Sequence, residues 1–181
     1  MKNKKFPLII FLFLCVYSSS IFANIGIVDS SEIGFTVKNT VLISADSMIV
    51  YQHLVKDIGK WWDSNHTFSG NASNLYINDN SDGCMCEKME NGGSVRHLDV
   101  FFAEPGKFLR MRGALGPLQA MAVTGSLTWK LTKMSSGTEV ELTYAVGGYR
   151  PGGLQVLAPA VDRVLFSQLT RLKNFIEKGK P

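Results

Sequence analysis

The sequence predicts an α+β domain in which one curved antiparallel sheet packs on a single long C-terminal helix. Three patterns carry that prediction. Over residues 154–178, Leu157, Val161, Leu165, Leu169 and Leu172, then Phe175 or Ile176, recur at helical spacing along one stripe. Met121, Val123, Leu127, Trp129 and Leu131 alternate with Thr124, Ser126, Thr128, Lys130 and Thr132; after the turn Ser135-Ser136-Gly137, Val140, Leu142, Tyr144 and Val146 alternate with Glu139, Glu141 and Thr143. That is a hairpin of half-buried strands. The remaining apolar segments are joined by short turns, which suit antiparallel neighbours. One apolar sheet face and one apolar helix stripe must bury each other.

The first residues read as a secretory signal rather than as part of the domain. Lys2, Lys4 and Lys5 form a positive n-region, residues 6–17 are almost unbroken apolar, and small residues lead to a cleavage site after Ala23. The apolar run is about a dozen residues, short of the roughly 20 a membrane span needs. Cys15 follows Leu14, too large for a lipoprotein signal. The expectation is an exported protein, periplasmic or secreted, with no stable membrane span after cleavage near Ala23. The chain then divides into the signal (1–23), a loose lead-in segment (24–33) and one domain (34–178). Loss of the three lysines takes the formal +4 to near +1. No basic cluster remains, so nucleic acid is not expected as a partner.

The elements follow in order. In residues 35–43, Phe35, Val37, Val41 and Ile43 share one face of a strand. Ser44 is a candidate N-cap for a first short helix over residues 45–55, and a second covers residues 57–62. Residues 63–74 are a polar loop. Strands are predicted at 75–78, 84–89, 94–103 and 108–113, separated by Asn80-Ser81-Asp82-Gly83, Glu90-Asn91-Gly92-Gly93 and Glu104-Pro105-Gly106-Lys107. With the strands already named, the sheet has about six to seven. Gly116 and Pro117 interrupt it over residues 114–120, a candidate mobile gate. The terminal helix is roughly 35 Å long at 1.5 Å per residue, and Pro159 kinks it or marks its start. A strongly twisted sheet touches a helix closely along only part of its length, which leaves an internal cavity.

This element order resembles the START-like helix-grip superfamily (the SRPBCC group) over about residues 35–177. Trp61-Trp62 after the first helices is similar to the ATPase-activator-homologue group. Trp62-Asp63-Ser64-Asn65-His66-Thr67-Phe68-Ser69-Gly70, Gly113-Ala114-Leu115-Gly116-Pro117-Leu118-Gln119-Ala120-Met121 and Gly147-Gly148-Tyr149-Arg150-Pro151-Gly152-Gly153-Leu154 resemble exported bacterial members of polyketide cyclase/dehydrase type. The resemblance implies the helix-grip fold. It is weaker for activity, because the fold hosts carriers, enzymes and regulators alike.

Several residues are candidates for a ligand site. Trp61 and Trp62 point about 100° apart on a helix, so one can face the core while the other faces the cavity mouth or solvent; the pair reads as two core anchors or, alternatively, as supplying a stacking wall for a flat apolar ligand. Phe68 and His66 follow in the loop, with Asp63 able to cap a turn. On the strand 94–103, alternation puts Arg96 on the apolar face with Leu98, Val100 and Phe102, and turns His97 and Asp99 to solvent. An inward Arg96 could orient a carboxylate, or its stem could lie along apolar surface with its head in water. Met111, Met121, Trp129 and Tyr144 are expected inside, and Arg110 and Arg112 outside. Cys84 and Cys86 admit a disulfide, two reduced thiols, or a metal or redox role; no second Cys/His cluster supports zinc. No cofactor and no metal are expected.

The leading functional expectation is an exported binding protein for a small lipophilic ligand, its partner being a small apolar molecule and any protein partner unknown. The alternative is a cyclase/dehydratase-type enzyme acting on a polyketide-like or aromatic substrate in the same cavity. Its base and oxyanion donor would come from His66, Arg96 and Tyr144.

Overall fold

The structure, a computed structural model, describes residues 26–181; the expected signal and the first two lead-in residues lie outside the described residues. Eight strands form one curved, open antiparallel sheet: β1 (Ile27–Ser31), β2 (Gly34–Ile43), β3 (Leu75–Ile77), β4 (Cys84–Lys88), β5 (Ser94–Glu104), β6 (Phe108–Gly113), β7 (Ala122–Met134) and β8 (Gly137–Tyr149). Their spatial order is β1-β2-β8-β7-β6-β5-β4-β3, so β3 to β8 form a meander and β2 closes on its last strand. Helices α1 (Ser47–Lys56) and α2 (Ile58–Trp61) link β2 to the loop before β3, and α3 (Ala158–Lys178) lies in the hollow of the sheet.

The alternation predicted for β2, β7 and β8 is present. Phe35, Val37, Leu127, Trp129, Leu142 and Tyr144 are all buried. Trp61 packs edge-on against Trp129, with ring centroids 6.2 Å apart, and Leu165, Leu169 and Leu172 of α3 meet this layer.

Three local expectations are corrected. The lead-in is not loose: Ile27–Ser31 is an eighth strand, paired antiparallel with β2. Its side chains are largely exposed, so no alternation announces it. Backbone pairing holds it, with Gly26 N–H donating to the buried Asp162 carboxylate at 3.1 Å. The cap of α1 is Asp46, not Ser44, and accepts from Met48 N–H at 2.9 Å. Of the two readings of Pro159 the second holds: it stands in the first turn of α3 and marks its start, where its missing N–H costs nothing. The helix ends at Gly179, whose φ of 73° suits glycine and whose N–H bonds Phe175 O.

The third correction concerns β5. Met85 pairs with Leu98 and Cys86 with Arg96, so His97 is an extra residue opposite the β4 backbone. A second irregularity leaves Phe101 extra between Val100 and Phe102. Each bulge shifts the two-residue phase. Arg96 therefore lies outside, its guanidinium bonded to Asp99, and Phe102 is half exposed. His97 turns inward, 5% exposed.

Candidate functional site

A cavity of about 450 Å³ lies between the first half of α3 and the β4–β5 side of the sheet. Leu157, Val161, Val164 and Leu165 form the helix wall. Leu115, Gly116, Pro117 and Leu118 close one side, in and before a 3-10 turn at Gly116–Ala120. Trp62 and residues 65–68 close another, and Met85 and His97 come from the sheet. Phe68 is 51% exposed, which places it at the rim.

Both tryptophan rings are buried in the core, and Trp62 stands in extended backbone just after α2, so helical spacing does not set its direction. Trp61 belongs to the core and Trp62 lines the cavity. Trp62 Nε1–H donates to His66 O at 3.0 Å. Helix α3 then fixes the following backbone: Arg171 Nε–H donates to Trp61 O at 2.8 Å, and Gln168 Oε1 accepts from Asp63 N–H at 2.9 Å. The aromatic wall is thus tied to the helix opposite it.

Sequence reasoning missed the site's most constrained polar group. Glu87 alternates with Met85 on β4, and pairing with Leu75 and Ile77 of β3 sets both on the inner face. It is fully buried. Its carboxylate accepts from Phe68 N–H at 3.1 Å, Ser69 N–H at 2.5 Å and His97 Nε2 at 2.9 Å. The signal for Glu87 was present, a charged residue in phase with Met85, but no partner was visible beside it. Phe68 stacks on the His97 ring, centroids 5.8 Å apart and planes 24° from parallel.

No protein-family model matches the chain, and no curated protein matches it. Solved structures do. Protein MLL2253 of Mesorhizobium loti is 16% identical, with a TM-score of 0.58 over 81% of this chain and 99% of that one. The di-domain ARO/CYC StfQ of the steffimycin biosynthetic pathway is 11% identical, with a TM-score of 0.56 over 82% of this chain and 52% of that one. This chain therefore spans about half of that protein. Aha1 of Colwellia psychrerythraea, solved as a dimer, is 18% identical, with a TM-score of 0.54 over 81% and 98%. The chain has the helix-grip fold.

In this helix-grip chain the remaining sequence candidates scatter. Met121 and His66 line the cavity beside Trp62 and Phe68. Leu98, Val100, Met111 and Trp129 are buried in the core behind it. Tyr144 is buried, but its hydroxyl is committed: it donates to Gly113 O at 3.0 Å and accepts from Leu115 N–H at 3.2 Å. Burial pushes its pKa up to about 12. Tyr144 thereby anchors the root of the segment expected to act as a gate. With Arg96 outside and Tyr144 occupied, the trio His66, Arg96 and Tyr144 does not converge. Arg110 and Arg112 lie on the outer face, over Phe108 and Phe101. Cys84 and Cys86 form a disulfide across Met85. Among the described residues no cluster of His, Cys, Asp and Glu is arranged to hold a metal, and no helix is long and apolar enough to cross a membrane.

The Glu87–His97 pair makes stability depend on pH. Burial holds the His97 pKa below its ordinary value of 6.5, against the pull of Glu87. The folded ring stays neutral where the unfolded one protonates, so stability falls as pH drops below about 6.5. Burial raises Glu87, but hydrogen bonds from Ser69, Phe68 and His97 outweigh it and leave its pKa below 4.5. Its contribution is present above that value and is lost as pH falls further. Urea unfolding should show a decline between pH 7 and 5 of at most about 1.4 kcal/mol per pH unit, one proton's worth. The decline should shrink in His97→Gln; an unchanged profile in that variant rejects the assignment.

Proposed function

We propose that this protein is an exported binding protein for a small lipophilic ligand. The observation that carries the reading is the roughly 450 Å³ cavity, walled by Trp62, Leu118, Met121, Leu157, Val161 and Leu165. That volume lies within the 300–1,000 Å³ range of small-molecule sites, and an apolar wall with a few polar groups is their usual composition. Burying apolar ligand surface there contributes about 25 cal/mol per Å² before ordering costs. The n-region lysines and the short apolar run before Ala23 support export. Native mass spectrometry after mild purification should show a co-purifying mass that organic extraction removes. A bare protein that also fails to bind a neutral naphthalene probe would count against the reading.

One observation favours a second reading, a cyclase/dehydratase-type enzyme: the His97 imidazole lines the cavity with a carboxylate behind it. A base of this kind is one part of enolate chemistry, which also needs an oxyanion donor at the same substrate atom.

A further inference from the structure

The cavity wall is uncharged. Among the described residues its polar side chains are Asn65, His66, Thr67 and His97, with no Asp, Glu, Lys or Arg. Asn65 and His66 are exposed. His97 is different, being almost fully buried with its ring clamped under Phe68. An ionised Glu87 only accepts hydrogen bonds, so His97 Nε2 must carry the proton it shares. In the neutral ring Nδ1 is then a bare acceptor. Its neighbour is Gln119 Nε2 at 3.4 Å, longer than the usual 2.7–3.2 Å. Gln119 is exposed and rides on the Gly116–Ala120 turn, so a better donor can replace it without disturbing the core.

We infer that His97 is the polar anchor of the cavity: its Nδ1 accepts a hydrogen bond from a hydroxyl of an uncharged, otherwise apolar ligand, while Glu87 holds the ring in the Nε2–H tautomer. The inference rests on the cavity being a ligand site. A ligand ion is disfavoured, because the wall offers no opposite charge to replace lost hydration. A ketone or ether is disfavoured as well, because it presents an acceptor to an acceptor. The ligand class is therefore a phenol- or alcohol-bearing lipophile, seated with its hydroxyl toward β5 and its apolar body along α3. Glu87 is a positioning residue that never meets the ligand.

The test is displacement of N-phenyl-1-naphthylamine, a neutral fluorescent probe, by 2-naphthol and by 2-methoxynaphthalene. The ether is the more lipophilic of the two, so a preference for the naphthol cannot come from partitioning alone. The full protein should bind 2-naphthol about five- to tenfold more tightly, the worth of one net hydrogen bond. In His97→Phe the ratio of the two affinities should fall to about one. Equal affinities in the unaltered protein overturn the anchor and leave the cavity standing. Failure of the probe to bind overturns the cavity reading and the anchor with it. A second measurement needs no variant: long-range ¹H–¹⁵N NMR should show the Nε2–H tautomer, and Nδ1 should shift on adding 2-naphthol but not the ether. An Nδ1–H tautomer, or an Nδ1 that responds equally to both, overturns the proposal even if His97→Phe fails to fold.

Discussion

Replacing Glu87 with alanine is expected to destabilise the protein by about 3–5 kcal/mol, because it leaves three hydrogen-bond donors without their acceptor. Three donors lose their acceptor at once: Phe68 N–H, Ser69 N–H and His97 Nε2–H. Each buried donor left without a partner costs about 1–3 kcal/mol, and relaxation of the loop toward water recovers part of the sum. For a domain of this size the melting temperature should fall by about 10 °C. Glu87→Gln keeps one carbonyl acceptor and should cost clearly less. Calorimetry reads the first effect. Amide exchange at Phe68 and Ser69 reads its location, since these amides should lose protection while those of β7 and β8 keep theirs. A loss under about 1 kcal/mol would mean that water satisfies these donors, and Glu87 would then not organise the rim.

Filling the cavity from α3 should have the largest effect on binding. Val161 is half-buried and lines the cavity one helical turn before Leu165. A tryptophan there occupies ligand space with its own ring, so Val161→Trp is expected to weaken binding of the naphthalene probe by 100-fold or more. Overpacking a filled core costs about 1–3 kcal/mol. Here the added ring enters open volume and gains burial, so stability should hold or rise slightly. Fluorescence titration and thermal unfolding of the same preparation separate the outcomes. Unchanged probe affinity would place the binding site elsewhere, and a large loss of stability would mean that the volume is already filled by the protein's own side chains. Tyr149 is a useful control: it is 70% exposed at the end of β8, and Tyr149→Ala should leave both readings unchanged.

The correct parts of the sequence reading are those where one periodicity runs unbroken. In β7 and β8 every second residue is buried from Leu127 to Leu131 and from Val140 to Val146, so composition and phase agree. The stripe on α3 is legible for the same reason, and with it the aliphatic helix wall of the cavity. Trp62 and Phe68 were legible as large aromatics in a polar segment. Arg96 was misread because alternation was carried backward from Leu98 across a bulge, and a bulge leaves no mark in hydrophobicity. Moving one residue past it reversed every side: Arg96 went out and His97 came in.

The order of residues by itself determined the α+β class, the antiparallel meander, the terminal helix and the apolar character of what lies between them, because each follows from repeats of two or 3.6 residues that any stretch of chain carries locally. Only the tertiary structure decided the polar chemistry. Glu87, His97 and the Phe68–Ser69 backbone come from two strands and a loop. Their meeting depends on strand register and on one extra residue in β5. A hydrogen-bonded group of that kind has no period, so it exists only once the strands are paired.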